Sequence, residues 1–350
     1  MNIVSMQTRD RLSSRYDVVI VGAGPGGCIT AKSLEENYKV LLLDWSRIPR
    51  DKPCGGLLVE EAQEAISKFG LPNGVFSSPK VLNLKNIDWE NNIEIKTNRS
   101  LLNVYRRLFD YWLLKLSEGK VTFSSGTKFL ELEEKRDRLN LLIEKNNKKE
   151  IIKSKFLIGA DGSLSIVRRN IEKKQVMYYF AVQEFIKSDK NVDNNALFIY
   201  DNEITDFYSW VIPKGVHLVI GSALQKNNLE EKFNLFKTKL RDRLGIYGPI
   251  SKKEVSIINK VKSKDDILLG KNNILLVGEA AGLISPSTGE GISFAIRSGL
   301  NCATAINENF DNALGKYENL CQPLIEEIEE KIEKAGILAD PIRRPDFLKE

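Results

Sequence analysis

The feature that most constrains this fold is a glycine-rich turn between two apolar runs near the N-terminus. Residues 18–21 are apolar enough for a buried parallel strand, and residues 28–37 predict a helix directly after the turn. The turn itself, residues 22–27, reads GAGPGG. A second apolar run, residues 40–43, ends on Asp44, which follows the first glycine by 22 positions. Strand, turn, helix, strand and acid in this order predict a dinucleotide-binding unit.

Each residue type in this turn has a physical role in holding a pyrophosphate. Gly22 permits the tight turn, Gly24 lets the backbone approach the phosphates, and Gly27 lets the helix pack closely on the strand. Pro25 lies in the same turn, next to the free N–H groups of the helix N-terminus. Asp44 is spaced to accept a hydrogen bond from a ribose hydroxyl. The pattern does not distinguish NAD from FAD, and a glycine turn in an unrelated α/β fold is the alternative.

Composition limits the class of protein. The 350 residues are 42% hydrophobic and 28% charged, which is typical of a globular protein of about two domains. The net charge of +5 comes from 52 basic and 47 acidic residues spread along the chain, so we expect no nucleic-acid partner. Residues 1–15 lack an apolar signal-peptide core and no apolar run could span a membrane, so we expect a cytoplasmic protein. Four scattered cysteines without a C-x-x-C pair argue against disulfides and a metal site.

Two further apolar strands end in small-residue turns that carry an acid. The first, residues 156–159, leads through an alanine into Asp161 and Gly162. The second, residues 274–277, leads into glycine and glutamate at 278–279. Both return to the pattern of a parallel strand, so strand-to-glycine turns recur three times along the chain.

Between these strands the pattern changes. After Asp44 a polar segment leads to Cys54 and two glycines, whereas a simple NAD dehydrogenase would continue to a third strand. The two adjacent glycines indicate that the backbone lies close to a flat or bulky group. Residues 177–224 predict strands without intervening helices, and hence a separate antiparallel, substrate-facing layer covered by a helix at about 229–244. From about residue 292 the chain is helical, and we expect Arg343 and Arg344 in its basic end to be solvated. The alternative is that an enzyme acting on lipid uses them against anionic headgroups.

The three turns, interrupted by an antiparallel sheet, resemble FAD-dependent oxidoreductases of the hydroxybenzoate-hydroxylase fold. Three segments narrow the resemblance to the geranylgeranyl reductase family: residues 52–58 (KPCGGLL), 208–213 (YSWVIP) and 278–282 (GEAAG). The first and third, with residues 201–204 (DNEI) leading into the second, resemble especially its branch of bacterial proteins linked to colicin M resistance. The resemblance covers residues 16–345.

The resemblance implies a set of contacts to FAD. The predicted cofactor-binding residues are Gly22, Gly24, Pro25, Gly27, Asp44, Arg106, Asp161, Gly162, Gly278, Glu279, Gly289 and Gly291. Arg106 matches the arginine of the family's R-x-x-F-D helix, which contacts the cofactor, and Asp161 matches the D-G motif near the pyrophosphate. Glu279 stands where the family has an aspartate on the ribityl chain. Gly289 and Gly291 would bring backbone N–H groups to the flavin N1 and O2 and stabilise negative charge on the reduced ring.

The resemblance also implies a substrate cavity. Tyr208 and Trp210 match the aromatic pair of the P-x-x-Y-x-W-x-F-P signature, and their alternation puts both on one face of a strand. This sequence departs from the signature at two positions, with Thr205 in place of the first proline and Ile212 in place of phenylalanine. Cys54 is predicted to face the flavin as a proton donor or substrate contact. The alternatives are that the cysteine is a small filler and that both aromatic residues are core.

These inferences predict an α/β (α+β) fold with three parts. They are a Rossmann-like FAD-binding domain (residues 1–75, 100–175 and 266–310), an inserted antiparallel-sheet substrate domain (76–99 and 176–265) and a C-terminal helical segment (311–350). The predicted function is reduction of carbon–carbon double bonds in an apolar, isoprenoid-like small molecule or lipid by hydride from reduced flavin. Electrons would come from NADPH or a reduced electron-transfer protein, because no second complete G-x-G-x-x-G is present.

Two alternative functions stay open at this point. One is a monooxygenase or halogenase, for which Lys85 lies at a suggestive distance along the chain although its neighbours do not match. The other is a non-catalytic flavoprotein that binds a lipid carrier, since binding pockets and active sites share apolar walls. A lipid substrate would also bring peripheral contact with a membrane.

Overall fold

The structure is a computed structural model that describes residues 12–349. Two sequence predictions lie outside this range, namely the lack of a signal-peptide core before residue 12 and the start of the first domain at residue 1. Among the residues described, no helix combines the length and apolarity needed to cross a membrane. The predicted domain boundaries stay predictions.

Within the described range the framework consists of two eight-stranded sheets. The strands are β1 (Arg15–Val21), β2 (Val40–Asp44), β3 (Leu57–Leu58), β4 (Phe76–Asp88), β5 (Ile93–Val104), β6 (Thr122–Ser125), β7 (Thr127–Glu134), β8 (Leu139–Lys145), β9 (Lys148–Gly159), β10 (Tyr178–Ile186), β11 (Asn195–Asp201), β12 (Thr205–Lys214), β13 (His217–Leu224), β14 (Ile250–Asn259), β15 (Gly270–Lys271) and β16 (Ile274–Leu276). The α-helices are α1 (Pro25–Ser33), α2 (Glu60–Ile66), α3 (Arg106–Lys115), α4 (Ile166–Ile171), α5 (Leu229–Leu244), α6 (Ile292–Glu308), α7 (Ala313–Ala339) and α8 (Arg344–Lys349).

The first sheet has a parallel centre, as the apolar runs predict. Its order is β15-β16-β9-β1-β2-β6, and the hairpin of β7 and β8 extends from β9. β1 runs parallel to both β2 and β9, and β16 runs parallel to β9. Val18, Val19 and Ile20 are fully buried, which explains why this strand is apolar without alternation. Helices α1 and α6 pack on each other, with the Thr30 hydroxyl donating to the Gly299 carbonyl at 3.2 Å.

The second sheet has the order β14-β10-β13-β12-β11-β4-β5-β3. The predicted antiparallel arrangement holds except for β11 and β4, which pair in parallel. These two strands come from distant parts of the chain, so no hairpin forces them to be antiparallel. The part of the predicted substrate domain at residues 76–99 lies in two long paired strands, β4 and β5, and β14 was not predicted.

The two faces of the second sheet have different covers. One face packs on α5 through the buried side chains of Phe233, Phe236 and Leu240. The other carries a row of aromatic side chains, Phe198, Tyr200, Tyr208 and Trp210, and we call it the aromatic face. Part of the C-terminal region packs on the aromatic face through Leu338 of α7 and Leu348 of α8.

The expectation that Arg344 is solvated is wrong. Its side chain is only 1% exposed, and its Nε donates to Asp88 Oδ2 at 2.8 Å. A second nitrogen, Nη2, donates to Glu90 Oε2 at 2.5 Å. The chain turns back at the end of α7, so a segment that is basic in sequence becomes buried against the end of β4.

Candidate functional site

The register of the parallel strands brings four predicted segments to one edge of the first sheet. Val21 pairs with Leu43 and with Gly159, and Gly159 pairs with Leu276. The segments at the carboxyl ends of these strands are Gly22–Gly27, Asp44, Asp161–Gly162 and Gly278–Glu279. This edge is where open α/β sheets bind their ligands.

The glycine turn has the shape that a pyrophosphate requires. A Cβ on Gly22, whose φ is +105°, would lie 2.3 Å from the Ala160 carbonyl oxygen, and one on Gly27 would lie 1.9 Å from the Gly22 oxygen. By contrast, nothing lies within 4 Å of a Cβ built on Gly24. Helix α1 begins at Pro25 without a side-chain cap and without an acid in its first turn. An uncapped helix start beside open space fits a bound diphosphate.

A chain of charged side chains connects Asp44 to Arg106. Arg106 contacts Asp110 with two hydrogen bonds of 2.8 and 2.9 Å. Asp110 also accepts from Arg50 at 3.4 Å, and Arg50 donates to Asp44 at 3.4 Å. Asp44 in turn accepts the backbone N–H of Ala23 at 2.9 Å, which fixes the glycine turn to the end of β2. Arg106 was predicted to bind the cofactor from a motif far along the chain from Asp44. The structure brings the two residues to the same edge of the sheet.

The two acids that follow β9 and β16 are engaged with the protein itself. Asp161 accepts the Ser165 hydroxyl at 2.5 Å and two backbone N–H groups at the start of α4. Glu279 accepts the Asn259 N–H at 2.8 Å. Burial raises the pKa of both carboxyl groups, and these hydrogen bonds oppose the rise. A Cβ on Gly162 would meet nothing within 4 Å, so the space beside this turn is open. Direct cofactor contact by either acid stays a prediction.

The turn before α6 joins the cofactor edge to the aromatic face. Gly291 is the N-cap of α6, which has no acid in its first turn, and its positive helix end suits an anionic group. Glu290 accepts hydrogen bonds from this first turn, and burial raises the pKa of its carboxyl group. The Tyr208 hydroxyl donates to the Thr288 carbonyl at 2.5 Å. The turn that holds Gly289 and Gly291 thus contacts the predicted substrate residue Tyr208 through Thr288.

The aromatic face is an apolar surface of packed rings. Tyr208 stacks on Phe198 at a centroid distance of 4.4 Å and meets Trp210 edge-on at 6.0 Å. Burial raises the pKa of the Tyr208 hydroxyl far above its ordinary value, so it stays protonated. Within residues 12–349 the Nε1–H of Trp210 is buried without an acceptor, and a Cβ on Gly221 would lie 2.6 Å from that nitrogen, so the indole packs against the backbone of β13.

Cys54 lies where the cofactor edge and the aromatic face meet. The Gly56 N–H donates to the Cys54 sulfur at 3.3 Å. A Cβ on Gly55 would lie 2.7 Å from Cδ1 of Ile212, so this segment crosses directly over the row that carries Tyr208 and Trp210. Burial alone would lower the pKa of Arg106, but Asp110 and Cys54 raise it above its ordinary value. Cys54 therefore lies within electrostatic reach of the predicted cofactor residue Arg106.

Sequence reasoning missed several polar residues of this site. They are Arg50, Asn103, Asp110, Lys214, Asn259 and Glu290. Asp110 could have been found, because it is the acid of the R-x-x-F-D motif. Lys214 could have been found by continuing the alternation of Tyr208 and Trp210 along the strand. Nothing in the local pattern distinguishes Arg50 or Asn103, whose partners come from distant segments.

Comparison with known proteins identifies the family. A profile of the FAD binding domain family matches residues 15–331. The chain belongs to this family. It is also 30% identical over 336 residues to protein CbrA of Escherichia coli O9:H4 (strain HS), and the match covers 94% of this chain and 92% of CbrA. The predicted relationship to the colicin M resistance branch is thereby confirmed, and a family of FAD-binding flavoenzymes supports an oxidoreductase with FAD as its cofactor.

Solved structures confirm the predicted fold class. A geranylgeranyl bacteriochlorophyll reductase-like protein from Thermoplasma acidophilum matches with a TM-score of 0.81 at 22% identity, over 93% of this chain and 88% of that one. The flavin-dependent halogenase CmlS matches with a TM-score of 0.71 at 19% identity, over 91% of this chain and 63% of its own. At these identities the likeness is one of fold, and it does not choose between reductase and halogenase.

Proposed function

We propose that this FAD-binding protein reduces carbon–carbon double bonds of an apolar, isoprenoid-like substrate. The observation that carries the proposal is the position of Cys54 between the cofactor edge and an apolar aromatic surface. Alkene reduction needs a hydride on one carbon and a proton on the other, so a proton donor must lie beside the apolar site. Cys54 has the chemistry and the location for that role.

The aromatic face supports an apolar substrate. Phe198, Tyr208 and Trp210 offer ring surfaces, and the surrounding wall is aliphatic. A chain of isoprene units would pack against such rings through dispersion and the hydrophobic effect.

The chain's own residues would provide the proton half of the reaction. Reduced FAD, when bound, supplies the hydride from N5. The Tyr208 proton is directed to the Thr288 carbonyl at 2.5 Å, which ties that hydroxyl to the turn before α6. The Cys54 sulfur accepts one backbone N–H at 3.3 Å and keeps its own proton free for transfer. We therefore propose Cys54 as the proton donor and Tyr208 as a residue that shapes the cavity.

The position of Lys85 excludes the lysine that the sequence suggested for a halogenase. A flavin-dependent halogenase needs an active-site lysine, and Lys85 is the candidate in the sequence. Lys85 pairs with Leu197 of β11, on the face that α5 covers, and forms an ion pair with Glu94. It is therefore on the opposite face of the sheet from Tyr208 and Trp210.

Anaerobic single turnover tests the proposal. FAD-loaded protein is reduced with dithionite and mixed with prenyl alcohols and prenyl phosphates, and products are analysed by mass spectrometry for added hydrogen. We expect reduced product from the wild type and at least about a hundredfold less from Cys54→Ser, because the proton donor is lost. Cys321→Ser, which alters a cysteine buried in α7, is the matched control. Equal product from Cys54→Ser would contradict the role of Cys54, and lipid binding without any product would favour a lipid-binding flavoprotein.

The electron donor belongs to the same proposal. Either NADPH visits the site transiently or a reduced carrier protein supplies electrons. Reduction of the bound FAD by NADPH under anaerobic conditions would favour the nicotinamide, whereas reduction by dithionite alone would favour a protein donor. Release of the protein from anionic vesicles by salt would test the proposed peripheral membrane contact.

A further inference from the structure

Lys214 is a buried cation without a carboxylate partner in the part of the chain that the structure describes. Its side chain is 4% exposed. The amine donates to Asn103 Oδ1 and, at 3.1 Å, to the Val104 carbonyl oxygen. Burial lowers its pKa from the usual 10.5 to about 7. A lysine that must give up its proton so easily is unusual in a structural position and more common at functional sites.

The geometry places this amine beside Cys54. Tyr208, Trp210, Ile212 and Lys214 alternate along β12, so their side chains share the aromatic face. Gly56 separates the amine from the thiol. Its N–H donates to the Cys54 sulfur at 3.3 Å, and a Cβ on the same residue would lie 3.0 Å from the Lys214 Nζ. Gly56 therefore lies against both groups.

Few other charges act on Lys214. The charge of Cys54 raises its pKa and that of Arg106 lowers it, both less than burial does. Arg106 is paired with Asp110 at 2.8 Å and also interacts with Cys54, so the thiol faces two cations. From the end of β5 the Tyr105 ring faces the amine, with its centroid 6.0 Å from Nζ. Among the residues described, Cys54 is thus the group with anionic capacity whose charge acts on Lys214.

We propose that Lys214 is a positioning residue that exchanges a proton with the Cys54 thiol and restores that proton after each turnover. Its use in turnover rests on the proposed alkene reduction. When the thiol protonates the substrate, its S–H bond breaks, a C–H bond forms and a thiolate remains. An N–H proton of Lys214 then moves to the sulfur, and the neutral amine takes up a proton from water. No oxidant or reductant beyond the hydride donor is needed.

Alkylation of Cys54 tests this pairing without any turnover. Cys28, Cys302 and Cys321 are buried, so iodoacetamide reports on Cys54, and mass spectrometry of its peptide measures the rate. Lys214→Gln keeps a donor for Asn103 but has no charge. We expect its alkylation at pH 7 to be roughly three- to tenfold slower, because the nearby cation favours the reactive thiolate. Lys214→Arg restores the charge and should alkylate within about twofold of the wild type.

Lys120→Gln is the control, since Lys120 also donates to two backbone carbonyls, at 3.3 and 3.4 Å, but lies outside the site. Wild-type rates and an unchanged pH profile in Lys214→Gln, or slow alkylation in Lys214→Arg, would overturn the proposal. If Lys214→Gln does not fold, as judged by circular dichroism, the Lys214→Arg variant carries the test. It holds charge but does not release a proton near neutrality, so its alkylation should be normal and its turnover at least about tenfold slower.

These outcomes separate the two proposals. Alkylation that depends on Lys214, in a protein that reduces no alkene, would contradict the proposed function and leave the Lys214–Cys54 pair standing. If Cys54 is needed for alkene reduction but its alkylation does not depend on Lys214, the proposed function stands and the Lys214–Cys54 pair is contradicted.

Discussion

The two sheets build their parts of the site in different ways. At the edge of the first sheet the requirement lies in the backbone, since Gly27 must lack a side chain for α1 to approach β1 and Gly24 leaves space beside a helix start. On the second sheet the requirement lies in buried polar side chains such as Lys214 and Arg344, whose partners come from distant segments. The comparison shows that a backbone requirement leaves a local sequence pattern, whereas a side-chain pair does not.

Alanine substitutions at Gly27 and Gly24 should give the largest change in stability and separate the two backbone roles in the first sheet. Gly27→Ala would put a Cβ 1.9 Å from a backbone oxygen, so we expect a loss of at least about 4 kcal/mol in the free energy of unfolding. Gly24→Ala meets no neighbour within 4 Å and should fold normally but bind FAD more weakly. Urea unfolding and FAD titration measure both. Normal stability of Gly27→Ala would contradict the packing role.

The next effect concerns the buried ion pair behind the aromatic face. Arg344→Met would leave the carboxylate of Asp88, which is fully buried, without its partner, at a cost of about 3 kcal/mol in urea unfolding. The exposed Arg343 offers a control, because Arg343→Met should change stability by less than about 0.5 kcal/mol. Similar losses in both variants would show that the C-terminal contact is not specific.

The same pair predicts a dependence on pH. Burial alone would raise the pKa of Asp88, but its bonds to Arg344 and Asn91 hold it below the usual 3.8. The stabilisation is therefore present above the ordinary carboxyl pKa and is lost as the pH falls through the folded-state value. Arg344→Met should abolish this part of the acid sensitivity.

The lowered pKa of Lys214 predicts that stability also depends on pH above neutrality. Its pKa is about 7 in the folded protein and 10.5 by default, so the unfolded chain binds more protons between these values. Stability should rise with pH, by about 2 kcal/mol from pH 7 to pH 9, relative to a Lys214→Gln variant. A Cys54→Ser background removes thiol titration from the comparison. If the difference in unfolding free energy between the two proteins does not change with pH, Lys214 is not desolvated.

The smallest effect tests the link between the two regions. Tyr208→Phe removes the hydrogen bond to the Thr288 carbonyl and should cost about 1 kcal/mol in unfolding free energy. Because that turn precedes α6, FAD affinity should also fall a few-fold, while Tyr200→Phe, on the same face, should leave affinity unchanged. Identical FAD affinity in Tyr208→Phe would show that the turn does not depend on the aromatic face.

Much of the first region could be predicted from the sequence. The strand at residues 18–21, the turn, the helix after it and the acid of Asp44 follow from apolar runs and glycine spacing, which are local properties. The helix was predicted to reach residue 37 and ends at Ser33. The helix predicted at about residues 229–244 was also confirmed as α5. The cofactor roles of Arg106, Glu279 and the glycines before α6 stay predictions that their location supports.

The second region shows why the rest could not be predicted. β14 has mixed exposed and half-buried positions and little periodicity, and it is held by pairing with β10. The parallel pairing of β11 with β4 joins segments about a hundred residues apart. Arg344 looked like a solvated end because nothing near it in sequence reveals Asp88. In each case the structure of the segment depends on a partner that is distant in sequence.

The most direct test of the central claim is an absorption spectrum of the purified protein during anaerobic reduction. An FAD-dependent oxidoreductase should show flavin bands, with about one FAD per chain after reconstitution, that bleach on reduction and return when an alkene substrate is added without oxygen. A protein that shows no flavin bands after incubation with FAD, while remaining folded by circular dichroism, would contradict the account.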